Sequence, residues 1–233
     1  MRTKLTALLV TAAAVSAGAV AHAAPIPVAT YTFQSQDDVN AFQKVFGAKC
    51  KRKWSGNQAL GVAVGPSTNT CVFRSSVVAD SSDQHADQGM TATVTSGGGT
   101  KKLMSKTFVG VGVRRSESAG YVLRILPNKH KWQYLRDPKG SAGPKVEASG
   151  TGKFIKVGSK PNMISLRAFS YGGNSTSVVA AVNGHGVVST SDSGSDQPDG
   201  RQTTVTAGAK GSGAGTGIVG VFDNVSVQVP NPF

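Results

Sequence analysis

The sequence predicts an all-β, two-sheet antiparallel sandwich with one short N-terminal helix. Three observations carry this reading. From residue 58 onward, short apolar or alternating runs are separated by clusters of Gly, Ser, Asn, Asp and Pro, the pattern of strands and their turns. The chain holds 29 glycines, which suits many tight turns. Asn183-Gly184 stands between two alternating runs and marks a two-residue hairpin.

The N-terminus comes first in chain order. Arg2 and Lys4 precede an uncharged run over 5–20 that ends at Ala21-His22-Ala23, the order of a secretory signal peptide. The run is Ala-rich and shorter than the roughly 20 strongly apolar residues of a membrane span. Cleavage after Ala23 is expected. It leaves 24–233 as a secreted chain of a length that fits a single β domain. In an oxidising compartment Cys50 and Cys71, the only cysteines, are expected to form one disulfide.

A helix is expected after Ser35, which can cap it, with Asp37 and Asp38 in the first turn. Val39, Phe42 and Val45 or Phe46 recur at helical spacing, and Gly47 would end it. About a dozen strands follow, at 59–64, 71–78, 91–95, 107–114, 121–126, 131–136, 154–157, 163–169, 177–182, 187–190, 203–207 and 217–229. In the last, Val219, Val221, Val225, Val227 and Val229 share one parity and should face the core. Asp223 shares that parity. A carboxylate in an apolar stripe needs backbone amides, an arginine or a cation beside it, so, unless a bulge turns it outward, Asp223 is a candidate structural carboxylate and a possible calcium ligand. No other cofactor is expected.

The stretches GVGVRRSESAGYVLRILPNKHKWQYLRDP, NMISLRAFS, VVAAVNGHGVVSTSD and GIVGVFDNVSVQV resemble the concanavalin A-like lectin/glucanase superfamily. They are most similar to bacterial secreted laminin-G-like and family 16 glycoside hydrolase-related jelly rolls, over Tyr31 to Val229. The resemblance implies a jelly-roll sandwich and a glycan ligand. Retaining glycosidases of that superfamily carry paired Glu on one strand, because nucleophile and acid/base must stand about 5 Å apart. This chain has only Glu117 and Glu147, 30 residues apart, so the catalytic signature is absent. His85, His130 and His185 lack zinc-site spacing. The glycines of GSGAGTG precede no helix and no Lys-Ser/Thr, against a phosphate loop. Asp192, Asp196 and Asp199 share one segment, read as a solvated loop.

The formal charge is +13, and residues 101–160 hold fourteen Lys and Arg against Glu117, Asp137 and Glu147. A basic surface attracts polyanions, and no nucleic-acid reading motif accompanies it. Partners are expected to be polysaccharide or an anionic envelope polymer. Trp132, Tyr134 and Arg136 share one face of their strand, which could stack on sugar and fork hydrogen bonds to it. The opposing reading buries Trp132 and Tyr134 and leaves Lys131 and Gln133 outside. Arg124 and Arg167, on neighbouring runs, are further candidates for ligand binding. Trp54 is read as a cover for the Cys50 region. The leading functional class is therefore a non-catalytic binding domain. Alternatives are a diverged polysaccharide hydrolase and a structural or adhesive envelope protein. Intact mass and N-terminal sequencing of the protein exported from a secreting bacterial host should give a mature chain beginning at Ala24; an uncleaved Met1 would refute the leader.

Overall fold

The computed structural model describes residues 26–55, 59–65, 70–78, 87–96, 106–116, 119–138, 143–170, 175–209 and 217–229. The leader, His85, Glu117 and most of GSGAGTG lie outside the described residues. In chain order the elements are β1 (Ile26–Tyr31), α1 (Gln36–Asn40), β2 (Phe42–Phe46), β3 (Cys50–Ser55), β4 (Ala59–Val64), β5 (Thr70–Val78), β6 (Gln88–Ser96) and β7 (Thr107–Arg115). They continue with β8 (Gly120–Leu126), a 3-10 turn (Pro127–Lys129), β9 (Lys131–Asp137), β10 (Lys145–Thr151), β11 (Asn162–Ser170), β12 (Thr176–Val182), β13 (His185–Asp192), β14 (Gln202–Ala209) and β15 (Gly217–Val229).

The strands form two sheets. An eight-stranded sheet has the order β13-β12-β11-β6-β15-β4-β3, with β1 on the far half of β15. A seven-stranded sheet has the order β10-β9-β8-β7-β14-β5-β2. All pairings are antiparallel. The architecture is the all-β two-sheet sandwich with one short helix that the turn-punctuated pattern predicts.

Period-two alternation builds the core. Met90, Ala92 and Val94 of β6 and Ile164, Leu166 and Ala168 of β11 point inward from one sheet. Val109, Val111 and Val113 of β7 and Val205, Ala207 and Ala209 of β14 point inward from the other. The sheets come closest at Gly220 of β15. A Cβ there would lie 2.7 Å from Ala207 Cβ and 2.8 Å from Val109 Cγ1, inside any tolerable contact.

Cys50 of β3 and Cys71 of β5 form the expected disulfide, with Cα atoms 5.7 Å apart. It ties the two sheets together at one lateral edge. Gly47, at φ +103, turns the chain into β3, and a Cβ on it would collide with Cys50 Sγ; only glycine serves there.

Three expectations are corrected. The helix stops at Asn40, and Phe42–Phe46 is β2, paired with β5. A single helical turn has little stability of its own, whereas the edge of β5 offers a full ladder and a buried place for Phe42. Residues 154–157 form no strand. They make a turn in which Ile155 is plugged into the core and its amide donates to Gly152 O at 3.1 Å. Asp223 does not face the core. The β15–β6 register shifts between Asp223 and Ser226 around Asn224 at φ +48. That bulge puts Phe222, Val225 and Val227 inside and turns Asp223 outward. Its carboxylate accepts hydrogen bonds from Asn224 N at 2.7 Å and Asn224 Nδ2 at 3.0 Å. No group of three metal-ligating side chains surrounds it among the described residues.

The disulfide closes a 21-residue separation, for which chain entropy gives about 3 kcal/mol. The Cys50→Ala/Cys71→Ala variant should lose stability of that order in urea unfolding, and reductant should then have no further effect on it.

Candidate functional site

The outer face of the seven-stranded sheet carries a furrow, and strand register defines it. In one row across the sheet, Gln133 of β9 lies opposite Arg124 of β8, then come Gly110 of β7, Thr206 of β14 and Val72 of β5. In the next row stand Leu135, Val122, Gly112, Thr204 and Arg74. β7 thus presents valines inward and glycines outward, so the middle of the face has no side chains. A Cβ at Gly110 would strike Leu123 O, and one at Gly112 would stand 2.5 Å from Thr204 Oγ1. The furrow has about 80 Å³ of free space, roughly half of the ~150 Å³ that accommodates a benzene ring. It can take one substituent of a ligand and lay the rest along the surface.

Its walls are polar and apolar in alternation. Phe108, Val122 and Leu135 give apolar area, while Arg115, Thr204 and Thr206 line it with polar groups. Arg124 also lines it. Arg124 Nε donates to Gln133 Oε1 at 3.0 Å, and its guanidinium carbon lies 4.8 Å from the Phe108 ring centroid, a cation–π stack. Burial pulls its pKa below the ordinary arginine value. Thr204 Oγ1 is buried and without a hydrogen-bond partner. Arg115 Nη1 is held by Asp137 at 3.2 Å.

The five residues expected to bind ligand are divided among three surfaces. Arg124 alone is in the furrow. Arg167 lies on the outer face of the eight-stranded sheet, its Cγ over Gly89, where burial lowers its pKa. Trp132, Tyr134 and Arg136 do share a face, but it is the inner one: they pair with Ile125, Leu123 and Tyr121, all fully buried. Tyr134 is 3% exposed and stacks on Tyr121, ring centroids 6.3 Å apart. The half-buried Trp132 covers Gly150, where a Cβ would come within 2.8 Å of the indole. The core needs these rings more than the surface does, because each buries a large apolar area.

Arg136 is committed to carboxylates. Its Nε and Nη2 donate to Asp192 at 2.5 and 3.1 Å, and Nη2 and Nη1 donate to Asp196 at 2.6 and 3.2 Å. Tyr121 OH donates to Asp192 Oδ2 at 2.8 Å. Hydrogen bonds to Asp196 and Asp192 raise the Arg136 pKa, and the Arg136 hydrogen bond lowers that of Asp196. Burial, then the bond to Asp192, pushes the Tyr121 phenol far above its ordinary range. Asp192 ends β13, so this cluster clasps the sheets at the edge opposite the disulfide. Asp192, at the end of β13, is therefore a structural anchor, while Asp196 bonds to Arg136 from the exposed turn that follows.

Sequence reasoning missed Arg114, which is 3% exposed. It donates to Thr176 Oγ1 at 2.6 Å, Ser170 Oγ at 2.7 Å and Asp87 Oδ1 at 3.2 Å. Burial lowers its pKa against the opposing pull of Asp87. Its position at φ +50 turns it inward, and nothing in the run GVGVRR signals that turn. The furrow did have a legible signal: glycines alternating with valines in one strand.

No protein-family model matches the sequence, and no curated protein matches it. Solved structures do match in shape. A carbohydrate-binding module, CBM66 from Bacillus subtilis, superposes with a TM-score of 0.55 at 11% identity, over 81% of this chain and 95% of that one. A Bacillus subtilis protein of unknown function with a galectin-like fold gives 0.60 at 12% identity, over 88% and 98%. An endo-1,3-beta-glucanase from Streptomyces sioyaensis gives 0.57 at 8% identity, over 78% and 79%. The fold is a jelly-roll sandwich like that of these structures.

Within this jelly roll the two polar clusters differ in what they leave available. The Arg136–Asp192–Tyr121 clasp satisfies itself internally, whereas Arg124 in the furrow bonds through Nε to Gln133 and keeps its terminal nitrogens. Asp192→Ala should leave the Tyr121 hydroxyl without its acceptor and Arg136 held by Asp196 alone, and cost about 2 kcal/mol in chemical unfolding. A loss below about 0.5 kcal/mol, the usual scale of surface changes, would show that the clasp is not structural.

Proposed function

We propose that the protein is an exported, non-catalytic jelly-roll module that binds glycan along the outer face of its seven-stranded sheet. The observation that carries this reading is the furrow, a shallow channel beside the glycines of β7 whose lining combines apolar patches with the guanidinium of Arg124. Sugars present a matching combination of C–H faces and hydroxyl edges. The carbohydrate-binding module and the glucanase of like fold support the reading at the level of architecture. The leader at 1–23, with cleavage after Ala23, and the disulfide support export, and 24–233 is taken as a single domain. No helix among the described residues is long and apolar enough to cross a membrane.

A binding role is favoured over hydrolysis by the chemistry of the lining. Hydrolysis of a glycosidic bond needs two carboxyl groups flanking it. The described furrow residues contribute two arginines and three threonines and no carboxylate. Asp137 nearby is held by Arg115, and Glu147 is exposed on the edge strand β10.

The test is a glycan array followed by titration calorimetry on the best ligand. Val122→Trp should fill the furrow and weaken binding by at least about tenfold, the equivalent of ~1.4 kcal/mol, with the melting temperature unchanged. Trp132→Ala should act on stability first. Uniform failure across neutral and acidic glycans would overturn the reading, and release of reducing sugar would replace it with the hydrolase.

A further inference from the structure

The arginines with buried or partly buried guanidinium groups fall into two kinds. Arg114 pairs with Asp87, Arg115 with Asp137, and Arg136 with Asp192 and Asp196. Arg124 has no carboxylate partner among the described residues; its polar contact is the bond from Nε to Gln133. Burial is the force acting on its acidity, consistent with a cation that nothing nearby neutralises. Arg52, Arg74 and Arg167 also lack a carboxylate among the described residues, but Arg52 donates to Phe42 O, Arg74 Nη2 is taken by Gln43 Oε1 at 3.0 Å, and Arg167 stands on the other sheet.

The geometry of Arg124 is that of a prepared fork. Gln133 on one side and the Phe108 ring beneath hold the guanidinium plane. With Nε occupied, the two terminal nitrogens remain for a ligand, and a planar group with two oxygens matches them end-on. Lys131 precedes Gln133 by two positions on β9 and so shares the outer face, one pleat repeat away. Thr204 Oγ1 lies buried beneath the furrow without a hydrogen-bond partner, which leaves Arg124 as the polar group that meets a ligand. The free space of about 80 Å³ suits a carboxyl substituent.

We propose that the furrow is selective for carboxylated sugars, uronates in particular, with Arg124 holding the carboxylate bidentately; this rests on the glycan-binding reading above. Neutral sugars occupy the same channel more weakly, because they leave the Arg124 charge desolvated and unpaired.

The experiment is calorimetric titration of the full mature chain with oligogalacturonate and with its methyl ester, which keeps the rings and removes the charge. Acid should bind about 10- to 100-fold more tightly than ester, the range expected for hydrogen bonds to charged groups. Arg124→Gln should bring the acid down to the affinity of the ester, and Arg167→Gln, which removes the same charge elsewhere, should leave the gap intact. If Arg124→Gln does not fold, Arg124→Lys keeps the charge without the fork and should lose most of the gap. Equal binding of acid and ester, an equal effect of the two Gln variants, or tighter binding of a sulfated neutral glycan than of the uronate would overturn uronate selectivity while leaving glycan binding in place. Failure of acid, ester and every neutral glycan would instead remove the glycan reading itself.

Discussion

The close approach of the two sheets at Gly220 is the constraint on which the rest of the structure depends. Backbone of β15 touches Ala207 and Val109 of the facing sheet, so side chains near that line must be small. Alanine and valine of the facing sheet meet Gly220, and the larger Phe222, on its own strand, packs its ring alongside. A sandwich pinched at its centre tends to splay at its edges, where fewer contacts hold it. Both edges are clasped, by the Cys50–Cys71 bond on one side and by Arg136, Asp192 and Tyr121 on the other. The first acts by limiting the unfolded chain, the second by directional charge-assisted bonds in the folded one.

The same constraint decides what is left for binding. Aromatic rings are the most effective filler where the sheets diverge, and Trp132 and Tyr134 are used that way. The outer face then has to recognise a ligand by other means. In the binding reading proposed above, it would do so with a channel beside the β7 glycines and an arginine stacked on Phe108. β7 serves both faces at once: its valines close the core and its glycines open the furrow.

How much of this was legible in the sequence follows from how each element earns its place. Central strands such as β6, β7, β11 and β12 bury alternate residues strongly, and their alternation was readable. Edge strands bury little: β1 has one buried residue in six and β10 none in seven, so no apolar period announced them or β3. β2 carries a helical spacing that tertiary pairing overrides. Asp223 was misplaced because a bulge at Asn224 reverses parity within one strand, and bulges have no reliable sequence signature. The shared face of Trp132, Tyr134 and Arg136 was legible, but which side of the sheet it occupies was not, because alternation fixes parity and not direction.

Net charge was a weaker guide than its size implied. Much of the arginine in residues 101–160 is spent internally, since Arg114, Arg115 and Arg136 each answer a carboxylate. No lysine among the described residues takes part in a comparable ion pair, and exposed Lys129, Lys153, Lys156 and Lys160 carry their charge into solvent. That solvated charge draws polyanions toward the molecule from a distance and is screened within about 10 Å at ordinary salt. Discrimination at contact requires a charge that is desolvated, oriented and unpaired. Arg124, at the wall of the furrow, meets all three conditions, which is why the proposed selectivity is placed on that residue.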